Sequence, residues 1–492
     1  MRYIGFLLVL AAWTSGTSAP AMAAEQKQAA TAAETAFDDH LQSYYDHLGA
    51  KRYDAALAII AKLKDEVANP QTAKAVSVLL SSPVAAARRR DEQARQLLAE
   101  GEGALSTVPE IFALVIPAYL VVERADFAGS LLDRLVGRAP DIARTLPPEW
   151  VSATLRDTGE AGQIIENRKV ALAQMGYGGS KGDWLTAEAI GILVKRGDTQ
   201  GATDLLRYLD SPREVENLLI DRRFAALWSK VAEQAGPRLA KSRASSVAAA
   251  LQDLAANPSG AEELAELIGS YRYARRYDDA FKLRDRLPSS PAGFAKAEEH
   301  TGWAVNNMAL ALHEAGRADE ADALFAGLNS AVREDWRISM LINRVELLVT
   351  DGKFAQSLPL ITEAEKVGKS PYAEQLLRRL RYCALSRLGR TAEAGRLRGD
   401  LLSHAKDAMA PTVDGLICTG ELDAAEQLAL GALNDDDFQT DFIRSLQAKP
   451  LTADDPSVWG GWTALRQRPA IAAAFSRLGR DLPDELRATA TK

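Results

Sequence analysis

The stretch VNNMALALHEAGRADEADALFAGL, residues 305–328, decides the fold. Counting from Gly316, Ala321 follows at five, Phe325 at nine and Leu328 at twelve, while Ala309 and Leu312 precede it by seven and four. Offsets of three and four place apolar residues on one face of a helix. The glycine between the two runs is the residue best able to end a helix in the left-handed region. The stretch therefore reads as two helices joined by a tight turn.

The same count works elsewhere. Gly197 leads to Ala202, Leu206 and Leu209, Lys51 to Ala56, Ile60 and Leu63, and Glu123 to Ala128, Leu132 and Leu135. Gly352 leads to Ser357, Ile361 and Ala364, and Gly420 to Ala425, Ala429 and Ala432. Two copies depart at nine: Arg275 leads to Arg284, and Gly389, followed at five by Ala394, leads to Arg398. Weaker copies turn at Arg89, with Ala94 and Leu98, and near Gly159. A small residue at five lets the second helix press on the first. Neither helix buries its face alone, so stacked neighbours share one continuous core.

This pattern resembles the tetratricopeptide repeat family in a diverged form, over roughly residues 40–435. Spacings of 36, 37 and 31 residues between Gly316, Gly352, Gly389 and Gly420 bracket the family period of about 34. The family's tryptophan, glycine and tyrosine in the first helix are mostly replaced by other apolar residues. The resemblance implies an all-α, α-α superhelix (a solenoid) whose first helices line a concave groove that takes peptides or protein segments.

Two consecutive arrays are expected, with one continuous superhelix as the alternative. Residues 24–35 read as a flexible N-terminus, 36–236 as the first array and 237–247 as a linker. Residues 248–448 read as the second array and 449–492 as capping helices and tail. The segments 218–236 and 459–480 echo each other, with aromatic-rich apolar faces beside arginines, and each is expected to cap one array.

The first 23 residues have the pattern of a secretory leader: Arg2, an apolar run from Ile4 to Trp13, and a cleavage site near Ala23. That run is too short to span a bilayer. No later segment is apolar enough to cross one. The expected setting, in a bacterium, is the periplasm or the exterior, with the protein belonging to the cell envelope. A net charge of −7 and a pI near 5.5 argue against nucleic acid as a partner. Cys383 and Cys418 fall on equivalent helices of adjacent repeats but about one turn apart in height, so two free thiols are expected.

Chemistry is hard to find in the chain. It has no nucleophile elbow, phosphate loop or CxxC pair. His40 and His47 are seven apart, but His47 occupies the packing offset that Tyr119 and Leu312 fill elsewhere. No metal, cofactor or catalytic residue is expected, and the chain reads as a non-enzyme.

One cluster stands out: seven arginines between Leu376 and Arg398 against a single acid, Glu393. In the family, residues ten, six, three and two before the turn face the groove. The resemblance then places Arg379 and Arg387 there, with Asn306, His313, Glu314 and Glu346 from preceding repeats. Planar guanidinium forks suit carboxylates, so an acidic segment or chain terminus of another envelope protein is the expected partner. The alternative is a glycan-associated helical module like the superhelical part of lytic transglycosylases, without the catalytic domain.

Overall fold

The computed structural model of the chain describes residues 20–67, 69–156, 160–177, 183–331, 336–368, 370–449, 451 and 461–487. Most of the expected leader lies outside the described residues. The structure is all-α; among the described residues the sole β-type pairing is an isolated bridge between Asp221 and Gly479. Residues 24–35, expected to be flexible, belong to a helix that runs unbroken through Pro20–Gly49.

All nine residues from which the repeats were counted adopt positive φ. The glycines 197, 316, 352, 389 and 420 lie between 73° and 82°, and Lys51, Arg89, Glu123 and Arg275 between 56° and 59°. At each one the next residue's N–H reaches back to the carbonyl four before the turn. Arg317 bonds Leu312 at 2.8 Å, Arg124 bonds Tyr119 at 2.9 Å, and Arg276 bonds Tyr271 at 2.8 Å. This is the Schellman closure, which needs a left-handed residue at its corner. That same next residue then opens the following helix. Its carbonyl accepts from the small residue at offset five, as in Ala321 to Arg317 at 3.1 Å and Ala56 to Arg52 at 3.0 Å. One residue thus ends one helix and starts the next, and the crossing is so tight that Ala321, Ala56 and Ala202 are fully buried. A tenth corner of the same kind lies at Gly176 (φ 72°), where Tyr177 bonds Leu172. The copy expected near Gly159 falls outside the described residues.

The two departures at offset nine have separate causes. The helix Tyr277–Phe281 is short and gives way to a 3-10 turn, which leaves Arg284 exposed on an ion pair with Glu320 at 2.7 Å. Arg398 reaches Glu421 of the next repeat at 2.5 Å.

The chain divides into two compact units, Met1–Tyr208 and Leu209–Lys492. The expected boundary lay at the linker 237–247. The proposed linker 237–247 is mostly the start of helix Ala240–Ala256, and the division falls nearer the N-terminus. The first unit holds the pairs turning at Lys51, Arg89, Glu123 and Gly197, and the first three share one core that includes Leu79, Phe112 and Leu132. The buried hydroxyls of Tyr44 and Tyr45 donate to the carbonyls of Leu80 and Leu114.

In the second unit the pairs turning at Arg275, Gly316, Gly352, Gly389 and Gly420 follow in order. The two cap-like segments do not close separate arrays: they pack on each other. The Arg480 N–H donates to Ile220 O at 2.8 Å, and the Arg222 Nε to Gly479 O at 3.0 Å. The Arg480 guanidinium lies 3.5 Å from the Trp228 ring centre. Buried Asp221 accepts from the Thr440 hydroxyl and the Arg223 guanidinium, and Arg444 pairs with Glu216 at 3.0 Å. The second unit therefore closes on itself, beginning against end.

One correction concerns the cysteines. Cys383 and Cys418 form a disulfide with Cα atoms 5.7 Å apart. Their helices, Pro371–Arg387 and Met409–Thr419, approach closely at Gly415, where a Cβ would stand 2.9 Å from Arg379 Cγ. Regular helix spacing with a one-turn stagger does not include this local approach.

Candidate functional site

The residues assigned to the groove come from the first helices of the second unit, Glu299–Glu314, Arg337–Thr350 and Pro371–Arg387. Those helices run side by side, and most of the assigned residues are paired with residues of neighbouring helices. Asn306, 4% exposed, accepts from the Asn343 amide at 2.7 Å. The His313 ring lies 2.8 Å from an Asp351 oxygen. Glu314 accepts from Arg272 Nε at 2.6 Å and from the Tyr277 hydroxyl at 3.1 Å.

Arg379 carries the main correction. Expected to meet a partner, it is 4% exposed and committed inside the chain. One end of its fork bonds both oxygens of Glu346 at 2.6 Å, and the other bonds Asp414 at 3.0 Å. Asp414 also accepts from the Trp462 indole at 3.3 Å. Three first helices and the helix Gly461–Arg466 are thus tied by one buried polar chain. Glu346 is spent on Arg379, so it too is a cross-helix tie.

Burial works against the charge on Arg379, but the fields of Glu346 and Asp414 outweigh it and hold its pKa above the ordinary value. At Asp414 the balance falls the other way: burial pushes the carboxyl up to about 6 against the pull of Arg379. The geometry accounts for the difference. Glu346, with a side chain 37% exposed, takes the bidentate grip, while Asp414, with a side chain 7% exposed, keeps a single bond to a shared cation.

Arg387 stands apart. It is exposed, lies 5.8 Å from the centre of the Phe354 ring, and makes no ion pair among the described residues. Exposed Leu388 follows it. Of the assigned groove residues, Arg387 is the one whose charge remains available.

Sequence reasoning missed Asp414 and Trp462. Asp414 was within reach, since it lies six before Gly420, the offset Glu346 holds before Gly352. Trp462 lies beyond the repeats, and no periodic signal points to it. Among the described residues no cluster of three or more metal-ligating side chains occurs, and no helix is long and apolar enough to cross a membrane.

The architecture is that of an all-α protein built from tandem helix pairs. No family model and no curated protein matches the chain. Among solved structures it is similar to a chain of the APC/C hetero-tetramer Cut9-Hcn1, at 12% identity and a TM-score of 0.31, covering 89% of this chain and 85% of that one.

Proposed function

We propose that this chain is a non-catalytic scaffold that holds segments of other envelope proteins, with Arg387 as a principal contact. The observation that carries the reading is a contrast among the residues assigned to the groove: the others are paired within the chain, and Arg387 makes no ion pair among the described residues. An exposed guanidinium over an aromatic ring, beside exposed Leu388, has the character of an interface anchor. The preferred partner is an acidic segment or a chain terminus, because a planar fork grips carboxylates.

The reading includes export to an oxidising compartment, after cleavage near Ala23. The leader pattern supports it, and so does the disulfide, since such bonds persist mainly in oxidising surroundings. Protein isolated from cells should begin at Ala24.

The test is a photo-crosslinking residue placed at position 391, near Arg387, in intact cells. Discrete protein adducts are expected. The same crosslinker combined with Arg387→Glu should lose them. Adducts that consist only of glycan strands, or none at all, would refute the scaffold reading.

A further inference from the structure

Where the second unit closes on itself, a pocket forms between helices Pro212–Ile220, Ala240–Ala256 and Ala261–Tyr273 and the residue Leu451.

 Four arginines line it, Arg213, Arg243, Arg272 and Arg275, against two acids, Glu216 and Glu314. Both acids are already committed. Glu216 pairs with Arg444 at 3.0 Å and lies 3.8 Å from Arg243, while Glu314 takes Arg272 and the Tyr277 hydroxyl. Positive charge is therefore in excess, and much of it sits out of water.

Arg243 shows the consequence most clearly. Its side chain is 13% exposed, and its buried Nε has no hydrogen-bond acceptor among the described residues. Burial lowers its pKa, Glu216 opposes this, and Arg275 adds to it by like-charge repulsion. A buried donor without an acceptor costs free energy, and so does a crowded guanidinium. Arg275 stands on the left-handed corner between its two helices, and its guanidinium makes a long 3.5 Å contact to Leu451 O. Arg213 is exposed at the rim and makes no ion pair among the described residues. The cavity volume is about 20 Å³, and the pocket is partly open. That is room for one small group or for the end of a longer molecule.

We propose that this pocket binds a single oxyanion group, a carboxylate or a phosphoryl, between Arg243 and Arg275 with Arg213 at the rim. An oxyanion supplies what the chain does not: acceptors for planar forks and negative charge for crowded guanidiniums. The site is separate from Arg387 and does not depend on the scaffold reading.

The test is thermal unfolding of the disulfide-intact protein at pH 7, in sodium phosphate and in sodium acetate, against sodium chloride at equal ionic strength. At least one oxyanion should raise the midpoint by about 2–4 °C at saturation. Arg243→Gln should lose the rise. Arg275→Gly should weaken it about tenfold while folding at least as well, because glycine suits φ 56°. Calorimetry with a short peptide and its C-terminal amide separates the sources. A tenfold loss on amidation assigns a chain terminus, and phosphate binding with no peptide preference assigns a phosphoryl ligand; either supports the site. No rise in either salt, or an equal rise in the wild type and both variants, overturns it.

Discussion

Replacing Gly197 by alanine probes the corner on which every helix pair is built. Gly197 has φ 79°, and a Cβ added there would meet nothing within 4 Å. Steric crowding by neighbours is thus absent, and the cost is that of holding an L-residue in the left-handed region, about 1–2 kcal/mol. Alanine also stiffens the unfolded chain, which returns about 0.4–1 kcal/mol. The net expectation is a loss of about 1 kcal/mol. The reverse change is available in the same unit. Glu123 is exposed, holds φ 58° and makes the same closure, so Glu123→Gly should gain about 0.5 kcal/mol. Urea unfolding followed by circular dichroism measures both, with m held constant as the sign that only stability has changed. For a unit of this size the shifts correspond to about 2–4 °C per kcal/mol. If Gly197→Ala is neutral or stabilising, or if Glu123→Gly destabilises by a similar amount, the corners are not what holds the helix pairs.

The disulfide closes a loop with a sequence separation of 35, so replacing both cysteines by serine should cost about 3–4 kcal/mol, and thiol titration of the unreduced protein should find no free thiol. Arg379→Met strands Asp414 and Glu346 and should cost about 3–5 kcal/mol at pH 7, with part recovered at pH 5 as Asp414 takes up a proton. Asp414 itself gives a signed pH dependence. With a native pKa near 6 against an ordinary 3.8, the folded state binds more protons between those values, so stability falls as pH rises from about 4 to about 6. The full fall is about 3 kcal/mol, read as the difference between wild type and Asp414→Asn in urea titrations. Equal slopes in the two proteins would show that Asp414 is not perturbed.

The corners were legible because each is made within one short stretch. The Schellman bond joins residues five apart, as in Arg317 to Leu312, and the small residue at five follows from the same crossing. Where glycine gives way to Lys51, Arg89, Glu123 or Arg275, the flanking periodicity still marked the turn. The register also placed Asn306, Glu346 and Arg379 on first helices correctly as a set. It did not tell whether that face meets solvent or the neighbouring helix, and in the second unit most of it meets the neighbour.

What the sequence alone determined is therefore the repeated unit: helix, left-handed corner, helix, with small and apolar residues at set offsets. Those features depend on backbone closure and side-chain period, which act over a few residues. The tertiary structure decided three other matters. It paired segment 212–239 with the end of the second unit through bonds spanning as many as 261 residues, such as Arg480 Nε to Leu219 O. It brought Cys383 to Cys418 at the close approach by Gly415, and it buried Arg379 between two acids. Each depends on how closely whole helices approach one another. That distance is set by packing summed over many residues, and no local pattern records it.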